Sequence, residues 1–184
     1  GEKYGVTESS KLYFLEGGQM TLFMDKDMSL WSSVGTDSKW GRGKGMDIVD
    51  GELFLTPTIA PNSPLARIDG DDLTYLTDFK GTVNDFCVTD NGIFVIAMED
   101  QKLQEIYRVR EDGSLLQLTN INTPILKDRY VAVPERVVVG KRPCSVEGWV
   151  LKPYDYDPGR KYPAILDIHG GPRSAYGEIY YHEM

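Results

Sequence analysis

Short apolar runs recur along this chain at a fixed interval, and that interval constrains the fold more than any other feature. "KLYFL" stands at 11–15, "ELFLT" at 52–56 and "GIFVIA" at 92–97. After a polar break each is followed by a second run: "MTLFMD" at 20–25, "PLARID" at 64–69 and "EIYRVR" at 105–110. A third set closes each group: "SLWSSV" at 29–34, "DLTYLT" at 72–77 and "SLLQLT" at 114–119. Leu12 and Leu53, Gly51 and Gly92, and Arg67 and Arg108 are each 41 positions apart, while the pair Leu76 and Thr77 recurs 42 positions on as Leu118 and Thr119. A unit of about 40–45 residues built from several short strands is the mark of a β-propeller blade. One such unit cannot cover its apolar face alone and must stack on a neighbour. The intervening segments lead into an innermost strand for the next blade, expected at 46–49 and 85–88. Helix periodicity is nearly absent, so the first 129 residues read as about three blade-like repeats. A β-sandwich with evenly spaced strands is the alternative.

The breaks between runs are turn chemistry. The acidic "IDGDD" at 68–72 has the composition of a calcium loop. Its counterpart one repeat later, "VREDG" at 109–113, is a hairpin turn in which Asp and Gly tolerate positive φ, so the turn reading is preferred. Near residue 130 the repeat ends. "ERVVVG" at 135–140 and "SVEGWVLKP" at 145–153 read as a longer hairpin, and "YDYDPGRKYP" at 154–163 as a loop, since its prolines exclude a central strand. Residues 164–168 form a compact apolar run broken only by Asp167, the pattern of a strand covered on both faces of a parallel sheet. The expected division is 1–129 and 130–184.

Composition narrows the function. The net charge of −8 disfavours nucleic acid and anionic membranes, which reward clustered Lys and Arg. No apolar run approaches the ~20 residues of a membrane helix. Cys87 and Cys144 follow no metal-ligand spacing, and reduced thiols in a cytoplasmic protein are expected. His169 and His182 lie thirteen positions apart without a third ligand, which fits no zinc site, so no metal and no cofactor is expected.

"EGWVLKPYDYDPGRKYPAILDIHGGPRSAYG" at 147–177 carries several spaced elements in a definite order: Gly148 and Trp149; Leu151, Lys152 and Pro153; Asp157 and Pro158; Lys161, Tyr162 and Pro163; and the run His169, Gly170, Gly171, Pro172. This stretch resembles the entry to the catalytic domain of prolyl oligopeptidase-family serine peptidases, nearest to the acylaminoacyl-peptidase and dipeptidyl-aminopeptidase-like branch. In that family a β-propeller precedes an α/β-hydrolase domain, the order suggested here by the repeat and the motif. The resemblance implies a serine exopeptidase or oligopeptidase acting on short peptides by acyl-enzyme chemistry. An acyl-transfer site needs preorganised N–H donors for the developing oxyanion, and one of them comes from the loop after the third strand of the hydrolase sheet. By resemblance, the Gly171 N–H is that donor, Gly170 allows close approach, Pro172 sets the exit direction and His169 braces the loop. His169 is not expected to be the catalytic base, which follows the nucleophile in this fold. Among the aromatics of "YGEIYYHEM", Tyr176 is a candidate for lining the substrate pocket; a packed segment is the competing reading.

The 184 residues contain no Gly-x-Ser-x-Gly, so no nucleophile is identifiable, and the strand at 164–168 lacks the parallel neighbours that later βα units would bring. The chain is therefore expected to be an interior slice of a larger enzyme, inactive by itself and prone to associate through unpaired strands. The alternatives are an α/β-hydrolase esterase and a non-catalytic propeller used for binding.

Overall fold

The computed structural model describes residues 9–41, 43–141, 143–171 and 173–184. Its centre is a pair of four-stranded antiparallel meanders. The first runs β3 (Met46–Val49), β4 (Glu52–Leu55), β5 (Ala66–Asp69) and β6 (Asp72–Tyr75), and the second runs β7 (Gly81–Thr89), β8 (Gly92–Glu99), β9 (Glu105–Val109) and β10 (Leu115–Gln117). Each strand pairs with the next in sequence. The turn between β3 and β4 shows why: Asp50 and Gly51 both adopt positive φ, 52° and 81°, matching the two-residue hairpin turn that suits the natural twist of the strands. The acidic segment at 68–72 is likewise the β5–β6 hairpin, with Asp69 opposite Asp72 and the Asp72 carboxylate paired to Lys26.

The repeated pair Leu-Thr has a structural cause. Leu76 donates its amide to the Leu65 carbonyl, and the Thr77 hydroxyl accepts the Leu65 amide at 2.9 Å. One repeat later Leu118 and Thr119 do the same to the carbonyl and amide of Ile106. In each sheet the threonine thus caps a backbone amide just beyond the end of the ladder. Thr119 also bonds the buried Glu105 carboxylate, which accepts the amides of Ile121 and Asn122 as well. Burial acts to raise the pKa of Glu105, but these donors outweigh it and hold the carboxyl below its ordinary value.

The two sheets bury one core. Phe54 and Leu65 of the first meet Val83, Phe86, Val95, Ala97 and Tyr107 of the second. Backbone bonds stitch the contact: Ser63 donates to Gly81 and Val83 donates back to Ser63, forming a parallel bridge between Ser63 and Thr82. β7 bulges where its register shifts between Val83 and Asp85, and Gly43 lies so close to the Asn84 carbonyl that any side chain would collide with it.

Outside this pair lie two hairpins, β1 (Leu12–Glu16) with β2 (Gln19–Met24) and β11 (Glu135–Val139) with β12 (Val146–Val150), and a single helical turn, α1 (Thr123–Leu126). Cys87 and Cys144 are free thiols. No helix among the described residues is long and apolar enough to cross a membrane.

Two expected strands are corrected. The third run of the first repeat, 29–34, is irregular, so that repeat contributes a hairpin and not a third four-stranded sheet. Its serines satisfy the backbone through side chains instead: Ser33 N–H and Oγ both meet Thr58 Oγ1, and Thr58 Oγ1 donates to the Trp31 carbonyl. The run at 164–168 is not a strand either. Ile165 is 96% exposed and Leu166 83%, and no strand among the described residues pairs beside them. A parallel-type strand owes its stability to neighbours on both edges, and the described residues supply none beside it.

The last described segment, 173–184, is held by the rest of the molecule. Ala175 bridges Val34 in parallel, receiving the Gly35 amide at 2.8 Å and donating to Ser33 at 3.0 Å. Thr36 donates to the Tyr180 carbonyl, and the two Asp37 oxygens accept the amides of His182 and Glu183 at 2.7 and 3.0 Å. Ile179 is buried against Val34 and Met98. Glu178 gathers Trp149 Nε1, Lys80 Nζ and, through its carbonyl, Gln101 Nε2, joining the segment to β12 and to the second sheet.

Three tests follow from this packing. Thr77→Val removes the acceptor for a buried amide and should lower the unfolding free energy by about 1–3 kcal/mol in chemical denaturation. Tyr107→Phe should cost nothing or stabilise slightly in the same assay, because the buried Tyr107 hydroxyl has no hydrogen-bond partner among the described residues. Burial acts to raise the pKa of Asp37, yet the His182, Ser38 and Glu183 bonds hold it below its ordinary value of 3.8. A depressed pKa means its contribution is complete above that value and is lost as the pH falls through the folded one. Protection of the His182 and Glu183 amides, measured as exchange relative to the intrinsic rate at each pH, should therefore hold down to the ordinary carboxylate range and fall below it; Asp37→Ala should abolish this protection at every pH.

Candidate active-site loop

The His-Gly-Gly loop follows directly on the extended run at 164–168, and its three described residues are solvent-exposed. Gly171 has φ of 139°, a conformation that residues with side chains rarely adopt. A Cβ there would strike the backbone nitrogens of Arg173 and Ser174, so only glycine fits the turn. Gly170 differs: a Cβ at that position would meet nothing within 4 Å. One glycine is thus required by the turn, and the other leaves open space beside the backbone. Pro172, expected to direct the exit of the loop, lies outside the described residues.

The Nδ1–H of His169 donates to the Gly170 carbonyl at 2.8 Å. The imidazole also meets the Tyr176 ring edge to face, with centroids 5.6 Å apart. Tyr176, half-buried, donates its hydroxyl to Asp167 Oδ2 at 2.8 Å and packs edge to face on Tyr181 at 5.8 Å. Burial and the Asp167 carboxylate push the Tyr176 phenol up to about 12, so it stays a donor at neutral pH. The two candidates His169 and Tyr176 are therefore in contact, flanking Gly170 and Gly171.

Past the loop, Arg173 bonds Ser9 Oγ and lies 3.9 Å from Asp27, while Ser9 donates to Asp27 at 2.8 Å. This links the loop exit to the region of β2. Upstream, the residues of "YDYDPGRKYP" brace one another. Tyr162 accepts the Asp157 amide and stacks on Tyr156, and Lys152 and Arg160 lie over the Tyr156 and Tyr162 rings. Asp157 Oδ1 accepts the Gly159 amide at 2.8 Å, closing an Asx-type turn around Pro158. The spacing of this motif is thus that of a self-supporting loop that needs no ladder.

Sequence reasoning missed Asp37, Glu178 and Ser33, which seat the segment beyond the loop. Their partners are up to 146 positions away, and nothing local marks them. No group of His, Cys, Asp or Glu among the described residues is arranged to hold a metal ion.

Known proteins resemble the chain along nearly its whole length. It is 26% identical over 190 residues to the uncharacterized peptidase YuxL of Bacillus subtilis, covering 99% of this chain and 29% of that protein. It is 25% identical over 129 residues to dipeptidyl-peptidase 5 of Arthroderma otae, covering 70% of this chain and 17% of the relative. Among solved structures, the acylaminoacyl peptidase of Pyrococcus horikoshii in its orthorhombic crystal form superposes with a TM-score of 0.72 at 22% identity, over 97% of this chain and 26% of that one. An acylaminoacyl peptidase in complex with Z-Gly-Gly-Phe-chloromethyl ketone gives 0.75 at 22% identity, over 100% of this chain and 27% of its own. The chain thus spans under a third of the length of these relatives. No family model matches it. Together with the ordered motif at 147–177, these likenesses support the assignment of the chain to the prolyl oligopeptidase family of peptidases.

Proposed function

We propose that this chain is part of a serine peptidase that cleaves short peptides by acyl-enzyme chemistry, to which it contributes propeller blades and one oxyanion-hole loop. The carrying observation is the loop at 169–171, where Gly171 occupies a backbone conformation closed to other residues and the backbone beside Gly170 stands bare. Developing negative charge on a substrate carbonyl is best met by N–H donors fixed before the reaction, because they need no reorganisation as the charge appears. The Gly171 N–H serves as that donor, Gly170 admits the substrate backbone, and His169 holds the Gly170 carbonyl out of the way.

On this reading the two meanders are blades of the propeller, residues 1–129, and the segment from 130 onward opens the hydrolase domain. The propeller limits entry to short peptides, in a cytoplasmic enzyme that needs no cofactor. The nucleophile, the acid and the base come from elsewhere in the complete polypeptide, so this chain alone is inactive. The similarity to acylaminoacyl and dipeptidyl peptidases supports peptide substrates over simple esters. The exposed residues of β1, Phe14 and Leu15, and of the 164–168 run support association of the isolated chain through uncovered surfaces.

In the complete polypeptide, hydrolysis of blocked or free dipeptide substrates should be abolished by a serine-directed phosphonate. Gly171→Ala, which must move the turn to relieve its backbone, should lower kcat roughly 10²-fold. Peptidase activity in the isolated chain, or full activity in the Gly171→Ala enzyme, would overturn the assignment.

A further inference from the structure

We propose that Tyr176 is a positioning residue that ties the two ends of the His-Gly-Gly loop together and so fixes the direction of its amides. This inference rests on the reading of Gly171 as an oxyanion donor. The loop is entered through Asp167 and left through Tyr176, and the bond from the Tyr176 hydroxyl to Asp167 Oδ2 spans the turn at 2.8 Å. The Tyr176 ring also backs the His169 imidazole, whose Nδ1–H holds the Gly170 carbonyl. A loop of exposed backbone with two adjacent glycines has large conformational freedom, and a cross-link at its base removes much of it.

The far end of the staple is itself anchored. Ala175, next to Tyr176, is bonded on both sides to Ser33 and Gly35, and Tyr181, which supports the Tyr176 ring, sits between Tyr180 and His182, both bonded to the 36–37 region. Orientation of the loop amides is thereby referred to a segment of the chain preceding β3. The Tyr176 hydroxyl, already donated to Asp167, acts through the loop and not on substrate.

The test compares wild type, Tyr176→Phe and Asp167→Asn in the complete polypeptide. Steady-state kinetics are read alongside hydrogen exchange of the peptide covering 164–176. Phe keeps the ring contacts and loses only the hydroxyl bond, whereas Asn can still accept it. Tyr176→Phe should lower kcat about tenfold with KM within about twofold and speed exchange in the loop, while Asp167→Asn should retain most of both properties. A rise in KM at unchanged kcat would mark Tyr176 as a substrate contact and overturn the proposal, as would unchanged exchange in Tyr176→Phe. If wild type hydrolyses no peptide, the peptidase reading falls, and the exchange data still decide whether the staple exists.

Discussion

Neither four-stranded sheet can bury its own apolar face, and the way the two solve that problem together sets where the segment after the His-Gly-Gly loop can dock. Leu65 and Phe54 from one sheet close over Val83, Val95 and Tyr107 of the other, and the Ser63–Thr82 bridge fixes the stacking distance. Full burial of side chains of this size is worth about 1.5–3 kcal/mol each, far more than any surface pair in the structure. The outer end of β8 then offers Met98 as a wall, onto which Val34 and Ile179 pack. The loop proposed as catalytic therefore hangs from the edge of this shared core.

Charge plays a narrower part. In Glu105 and Asp37, backbone and hydroxyl donors outweigh the effect of burial, and each organises a chain exit: Glu105 where the strand meander ends, Asp37 where the final segment docks. The remaining ion pairs, such as Lys44–Asp47 and Arg67–Glu52, lie largely in solvent and contribute little. Near Gly171 the described polar groups include the imidazole of His169, the Tyr176–Asp167 bond and, at the loop exit, Arg173 held by Ser9.

Local chemistry was legible wherever neighbours in sequence became neighbours in space. A strand expected at 46–49 is β3, the turn at 68–72 is a hairpin, and the recurring Leu-Thr pair proves to be one hydrogen-bonding device used twice. The errors share a cause. The runs at 29–34 and 164–168 have strand composition, but composition reports only a willingness to extend. At 29–34 the hydroxyls of Ser33 and Thr58 supply the backbone with closer partners, and at 164–168 no strand among the described residues offers a ladder.

By itself the sequence determined the meander and its period, because two-residue turns and alternating side chains are set by covalent geometry and local φ preferences. That the turn at 171 admits only glycine is a fact of its three-dimensional geometry, since a side chain there would strike the backbone of Arg173 and Ser174. Only the tertiary structure decided where the loop is held. Asp37 meets Glu183 and Ser33 meets Ala175 across more than 140 positions, contacts that need the rest of the fold to hold those segments side by side. Their formation depends on loop closure and burial, which no local pattern encodes.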